Sequence, residues 1–198
     1  MKNKKLVIKQ TRKYGKGVFA GEDIKKGKVV RELSGERMTI DDFIRKVNSG
    51  KENINDPLQI GRRTYIDYDE LSRTINHSCD PNCGIRKVKE LFALRDIKKG
   101  EQITYDYSSI IAPTVWQMKC KCGSKNCRKI IKDVLSLPKK QREKYQKLGA
   151  FQTYMKVLLK EVDAGTYKTP KYEIRLLESL NKRYEGDTKI NKRSRLSS

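Results

Sequence analysis

The stretch Asn76-His77-Ser78-Cys79-Asp80-Pro81-Asn82-Cys83 holds the single histidine of this 198-residue chain and two of its five cysteines. The other three stand together downstream, in Cys120-Lys121-Cys122-Gly123-Ser124-Lys125-Asn126-Cys127. Between the clusters lies Gly100-Glu101-Gln102-Ile103-Thr104-Tyr105-Asp106-Tyr107, a polar turn leading into a tyrosine-bearing strand. Structural zinc takes four ligands tetrahedrally, and Cys120, Cys122 and Cys127 supply three from one short loop, with Gly123 allowing a sharp turn. Cys83 or Cys79 can bring the fourth, tying the downstream loop back to the motif. An odd cysteine count with tight Cys-x-Cys spacing suits metal better than disulfides, and a reducing, intracellular setting.

Composition bounds the rest. With 36% hydrophobic residues the chain can bury a core, and its length suits one domain plus an extension. The formal charge is +22. Residues 138–198 contribute +9 and the remainder +13, so the basic excess is not confined to a tail. A charge of this size fits an anionic partner such as nucleic acid, or else a lysine-rich solvated surface. No run approaches the roughly 18 apolar residues of a membrane span, and Leu6-Val7-Ile8 is too short for the apolar part of a secretory signal.

Local patterns place the motifs. Strands are expected at Leu6–Ile8, Val18–Ala20, Lys28–Leu33, Thr64–Asp67, Leu91–Arg95 and Gln102–Tyr107. Thr39 is placed to cap a helix over Ile40–Asn48, with Asp41 and Asp42 in its first turn and Ile40, Phe43, Ile44 and Val47 on one face. Asp23-Ile24-Lys25-Lys26-Gly27 recurs as Asp96-Ile97-Lys98-Lys99-Gly100, each a turn between strands. After Pro138 the pattern becomes helical: Phe151, Tyr154, Leu158 and Val162 recur at helical spacing, as do Tyr172, Leu176, Leu177, Leu180 and Tyr184. The polar, basic end from Asp187 to Ser198 reads as disordered.

Taken together, these stretches resemble a known family. Asn76 to Cys83 is similar to the central motif of SET domains, and Cys120 to Arg128 resembles the post-SET motif of their trithorax-like branch. Lys16-Gly17-Val18-Phe19-Ala20 with Ile24 to Gly27, Ser34-Gly35-Glu36, Tyr65-Ile66-Asp67 and Gly100 to Tyr107 match in the same order, over residues 10 to 131. The resemblance implies a mainly β fold with some α: a SET domain with its pseudoknot over 1–112, a post-SET zinc segment over 113–132, and a helical C-terminal extension over 133–198. It implies a protein-lysine methyltransferase that draws its methyl group from S-adenosylmethionine. Lys16, Gly17, Val18, Asn76, His77 and Tyr107 would contact that cofactor. Tyr107 would be the catalytic tyrosine, Tyr105 would influence how many methyl groups are added, and Tyr65 with Tyr105 would meet the substrate. Zinc would sit on Cys83, Cys120, Cys122 and Cys127, leaving Cys79 a free thiol.

The chain departs from the family at Thr74, where an aromatic is usual, at Leu33, and in a short stretch between Arg37 and Arg63, all of which bear on the peptide groove. The implied partners are a protein bearing the target lysine, plausibly a histone or another DNA-associated protein, and nucleic acid at the basic surface, with no membrane. The setting is cytoplasm or nucleoid in a prokaryote, and nucleus or chromatin in a eukaryote. A lone histidine is more often structural than catalytic, and a Cys79–His77 nucleophile is disfavoured because nothing in the sequence orients the pair. The rival reading is a non-enzymatic zinc-containing nucleic-acid-binding module, which leaves Gly100 to Tyr107 unexplained.

Overall fold

The computed structural model describes residues 4–11, 15–52, 56–113 and 116–168. The chain opens with a hairpin of β1 (Leu6–Gln10) and β2 (Lys16–Ala20), followed by β3 (Val29–Glu32), β4 (Gly35–Thr39) and helix α1 (Ile40–Asn48). Strands β5 (Leu58–Gly61) and β6 (Thr64–Tyr68), the short helix α2 (Glu70–Arg73), and strands β7 (Asn76–His77), β8 (Cys83–Arg86), β9 (Glu90–Ala93) and β10 (Thr104–Tyr105) complete the β-rich part. Beyond it come β11 (Met118–Lys119), β12 (Ile130–Ile131), α3 (Lys139–Lys147) and α4 (Thr153–Asp163).

The strands form several small sheets. β1 pairs with β2, β9 lies between β3 and β8, β6 lies between β4 and β5, and β11 pairs with β12, all antiparallel. One pair is parallel: β7 runs beside β10, setting Asn76 opposite Thr104 and His77 opposite Tyr105. That pairing joins the two informative motifs across some thirty residues of chain.

The turn repeat pairs with itself. Ile24 and Ile97 exchange backbone hydrogen bonds, each N–H donating to the other carbonyl at 2.8 Å. Asp96 accepts from the Lys26 N–H and Asp23 from the Lys99 N–H, both at 2.8 Å. Lys25 and Lys98 close the pattern by pairing with Asp96 and Asp23. Gly27 and Gly100 take φ of 78° and 84°, a left-handed conformation that glycine enters without a Cβ penalty. The two similar pentapeptides thus act as one two-fold clasp.

The central cluster gathers Val18, Ile24, Val30, Leu33, Ile66, Tyr68, Ile75, Cys83, Ile85, Leu91, Ile97, Ile103 and Tyr105. α1 forms as expected, since Thr39 and Asp42 make a reciprocal capping box and Ile40, Phe43 and Val47 are buried. A second cluster packs Tyr145, Phe151, Met155, Leu158 and Leu159 on Phe92, Leu94 and Ala112, so α3 and α4 cover the core. Burying one such side chain is worth about 1.5–3 kcal/mol.

Several elements go beyond the sequence reading. β4, β5, β7 and β8 are too short or too polar to give an alternating signal. α3 buries Tyr145 alone, so it shows no apolar stripe. The strand expected through Tyr107 ends at Tyr105, because Asp106 caps a 3-10 turn over Tyr107–Ser109. The helix expected around Tyr172–Tyr184 and the tail expected to be disordered lie outside the described residues.

Candidate active site and cysteine cluster

The site is built on the β7–β10 pair. Asn82 fastens the loop between β7 and β8. Its amide donates to the Gln102 carbonyl at 2.8 Å and its carbonyl oxygen accepts from the Thr104 N–H at 2.9 Å. Ser78 N–H donates to the Tyr105 carbonyl at 3.1 Å. Buried backbone groups that would otherwise be stranded are thereby satisfied, and the motif is locked against the tyrosine strand.

Tyr107 is held from two sides. Its N–H donates to His77 Nδ1 at 3.2 Å, and its hydroxyl donates to the Ile75 carbonyl at 2.8 Å. Its ring lies 4.9 Å from that of Tyr105 and edge-on to His77 at 5.4 Å. The two tyrosines meet although Tyr107 has left the strand, because the 3-10 turn folds its ring back. Burial, followed by the charge of Asp56, raises the Tyr107 phenol well above its ordinary value, so it stays protonated at neutral pH. Burial also raises Tyr105 and Tyr68, whose hydroxyls influence each other.

On β6, Tyr68 rather than Tyr65 joins this group. Side chains alternate along a strand. Tyr65 therefore packs beneath α1 with its ring 4.8 Å from Phe43, while Tyr68 enters the central cluster with Tyr105. Gln102 is a second residue that the sequence reading missed.

Lys16, Gly17 and Val18 run along β2 beside Asn76, whose amide donates to the Lys16 carbonyl at 2.9 Å. A Cβ on Gly17 would meet Gln102 Nε2 at 2.6 Å and Asn76 Nδ2 at 3.0 Å, so a larger residue would have to displace these two amides. Gln102 Nε2 is buried without a protein acceptor. A glycine cradle with an unmatched amide donor fits a small ligand bearing acceptor groups, as the carboxylate end of S-adenosylmethionine does.

The cysteine cluster lies on the other side of His77. The ligand atoms of His77, Cys79, Cys120 and Cys122 all fall within 4.8 Å of one another, with the Cys79 and Cys120 sulfurs 3.7 Å apart. Cys127 packs in the same cluster, its thiol 3.7 Å from the Cys120 carbonyl oxygen. Cys83, the expected fourth ligand, stands apart from this cluster. Cys83 is the first residue of β8, paired with Ala93 and fully buried in the central cluster, and burial drives its thiol far up. Strand pairing turns Cys83 into the core, while the turn at Ser78–Asp80 leaves Cys79 facing the downstream loop. Asn126 Nδ2 donates to the Cys79 carbonyl at 3.2 Å and holds that loop in place.

Each of three sulfurs accepts a backbone N–H: Cys79 from Arg128 at 3.4 Å, Cys120 from Cys122 at 3.5 Å, and Cys122 from Cys79 at 3.5 Å. Burial raises the Cys122 thiol, but the Ser124 hydroxyl and the Cys79 and Ser124 N–H groups outweigh it and lower the value to about 6. Convergent thiols with N–H donors aimed at them are the donor chemistry of a thiolate metal site.

His77 Nε2 stands 3.3 Å from Cys79 Sγ, so the structure does orient this pair. Nδ1 accepts the Tyr107 N–H, which leaves Nε2 carrying the proton and donating to sulfur. That is the wrong tautomer for a base activating Cys79, and for a metal ligand through Nε2. Burial, with the Arg128 charge, lowers His77 to about 3, keeping it neutral.

This constellation defines a domain in which a glycine cradle, an Asn-His pair and two buried tyrosines meet beside a cysteine cluster. Residues 15–108 match the SET domain model. It is 37% identical over 142 residues to the Variant-silencing SET domain-containing protein of Plasmodium falciparum, covering 63% of this chain and 6% of that protein. It is 34% identical over 146 residues to the Probable histone-lysine N-methyltransferase set-23 of Caenorhabditis briggsae, covering 65% and 61%. Among solved structures it resembles the methyltransferase domain of human Histone-lysine N-methyltransferase SETMAR, with TM-score 0.54, 25% identity, and coverage of 66% and 59%. The chain thus spans less than two thirds of the length of each of these proteins. SET methyltransferases use S-adenosylmethionine.

Proposed function

We propose that this chain transfers a methyl group from S-adenosylmethionine to the side-chain amine of a protein lysine. The observation that carries the reading is Tyr107, fixed by Ile75 and His77 beside Tyr105 and next to the Gly17–Asn76–Gln102 cradle. Bound S-adenosylmethionine supplies an electrophilic methyl. The protein supplies alignment, which can account for much of such a rate. The harder task is a neutral lysine, since an unperturbed amine of pKa ~10.4 costs roughly 4.6 kcal/mol to deprotonate at pH 7. Tyr107, kept protonated, cannot serve as that base. It positions the amine, while the buried tyrosine-lined site disfavours the charged ammonium.

For the cysteine cluster we propose one structural zinc on Cys79, Cys120, Cys122 and Cys127. The Nε2–H tautomer argues against His77 as a ligand, and burial in the central cluster argues against Cys83. His77 then orients the Cys79 thiolate through Nε2–H, as a group hydrogen-bonded to a metal ligand does.

The substrate class is a histone or another DNA-associated protein, in keeping with the relatives' names and a chromatin setting. Nucleic acid is a second partner. Residues 116–148 carry 11 basic and two acidic residues, and Arg128 with Asp106 is the ion pair this segment makes among those described. Lys139, Lys140, Lys144 and Lys147 are exposed on α3, and Lys119, Lys121, Lys125 and Lys129 on the preceding loop. Phosphates recruited there would bring a basic substrate to an enzyme that otherwise repels it.

The deciding experiment is incubation of the zinc-loaded chain with radiolabelled S-adenosylmethionine and core histones, free and assembled on DNA. Label on a histone lysine, lost in Tyr107→Phe, is expected. Cofactor binding without transfer to any protein would return the chain to the non-enzymatic reading.

A further inference from the structure

We propose that Tyr145 of α3 is a positioning residue for the Tyr107 site, which makes the C-terminal extension a working part of the catalytic unit. The kinetic part of its test rests on the methyltransferase reading; the structural part does not.

The argument starts at Asp106, whose side chain is only 1% exposed. A carboxylate this deep needs partners on both oxygens. Oδ1 accepts from Arg128 Nη2 at 2.5 Å and from the Ser108 N–H at 3.1 Å. Oδ2 accepts from the Tyr145 hydroxyl at 3.1 Å. That hydroxyl in turn accepts from Gln141 Nε2, one turn earlier on α3, at 2.6 Å.

The position of Asp106 gives this bond its reach. Asp106 caps the 3-10 turn that begins at Tyr107, and its carbonyl accepts from the Ser109 N–H and hydroxyl at 2.9 and 2.6 Å. Its other partner, Arg128, donates its backbone N–H to Cys79 Sγ. One carboxylate therefore couples α3, the Tyr107 turn and the cysteine loop. Packing alone does not require the hydroxyl: the Tyr145 ring sits edge-on to Phe151 at 6.0 Å, and phenylalanine would fill the same volume. Yet the hydroxyl is aimed at the one residue that holds both halves of the site.

The test compares the full chain with Tyr145→Phe, and with Val162→Ala as a packing control in the same helical cluster but away from Asp106. Hydrogen–deuterium exchange is read at 104–109 and 127–129, alongside kcat, the KM for histone substrate and calorimetric S-adenosylmethionine affinity. Tyr145→Phe is expected to speed exchange in both windows about tenfold, since bonds to charged groups are strong. It should lower kcat about tenfold while KM and cofactor affinity stay within about twofold. Val162→Ala should lower the melting temperature and leave exchange in these windows unchanged. Unchanged exchange in Tyr145→Phe, or the same change in Val162→Ala, overturns the proposal. If the parent chain transfers no methyl, the methyltransferase reading fails and the exchange result alone decides the role of Tyr145.

Discussion

The β-rich core and the segment that follows it treat their charges in opposite ways. Residues 15–113 carry 18 basic and 16 acidic residues, a net of +2. Most of their cations are engaged: Lys46 with Glu36 and Asp67, Arg73 with Asp56 and Asp67, Arg86 and Lys87 with Glu90, Arg95 with Glu101. Residues 116–148 carry a net of +9 with one described ion pair. The contrast extends to the backbone. The core closes largely on its own hydrogen bonds and apolar clusters, whereas the segment before α3 offers two strands of two residues each and a group of thiols. The core balances its own charges, whereas on the proposed reading the segment would be completed by a metal inside and phosphates outside.

Removing the metal should break the comparison most visibly. Cys79→Ser is expected to lose stoichiometric zinc, loosen residues 116–132 and abolish methyl transfer, because binding and folding of such a loop are coupled. Cys83→Ser should keep its zinc and instead cost about 1–3 kcal/mol of stability, the penalty for a hydroxyl in a dry, apolar site. Metal analysis and thermal melts distinguish them. Zinc retained in Cys79→Ser and lost in Cys83→Ser would falsify the ligand set.

Next in size is the core's own site. Tyr107→Phe removes the bond to the Ile75 carbonyl and should cut turnover on the order of a hundredfold, with S-adenosylmethionine still bound in calorimetry. In the intact enzyme the rate should climb from pH 7 towards 9 as more substrate lysine is neutral. Near-normal turnover in this variant would remove Tyr107 from the reaction.

The charge contrast predicts a third effect. Replacing Lys139, Lys140, Lys144 and Lys147 by Gln should weaken duplex DNA binding by about an order of magnitude or more and flatten its salt dependence. Replacing the paired Lys25 and Lys98 should do neither. Anisotropy titrations at two salt concentrations read both, and equal losses in the two variants would erase the distinction between regions.

A subtler change concerns product. The Tyr105 hydroxyl, buried beside Tyr68 and Tyr107, should crowd the lysine channel and favour mainly monomethyl, with some dimethyl, product. Tyr105→Phe should raise the methylation state without stopping transfer. Identical product spectra by mass spectrometry would contradict this.

The smallest effect is electrostatic. Asp69 caps α2 and accepts from Arg31 and Ser34. Burial raises its carboxyl, but the Ser34 and Ser72 hydrogen bonds and the Arg31 charge lower it to about 2. Its folded value lies below the unfolded 3.8, so its stabilisation is present above that pH and fades as pH falls through 2. The side chain is 34% exposed, so solvent screening limits the contribution. Asp69→Asn should cost about 1 kcal/mol at pH 7, and less near pH 2.5. A pH-independent difference between the two proteins' melts would assign the loss to packing.

The sequence by itself determined the SET-domain resemblance, the α1 cap and the order of the motifs. These rest on local chemistry: a threonine three residues before an aspartate, glycines in turns, thiols within eight residues of one another. It also determined that a cysteine of the central motif is available to the downstream cluster, but not which one, since Cys79 and Cys83 are four residues apart and chemically alike. Tertiary structure sets Cys79 beside Cys120 and Cys122, because strand pairing turns Cys83 into the core while the loop before it packs against the downstream cysteines. The same rule set Tyr68, not Tyr65, beside Tyr105, since strand alternation gives the two opposite faces and only the packing of α1 says which face is which. The link from Tyr145 to Asp106 spans 39 positions and joins two residues that no pattern pairs. Such contacts are decided by the closing of the whole fold around a buried charge, which has to find its donors wherever the chain brings them.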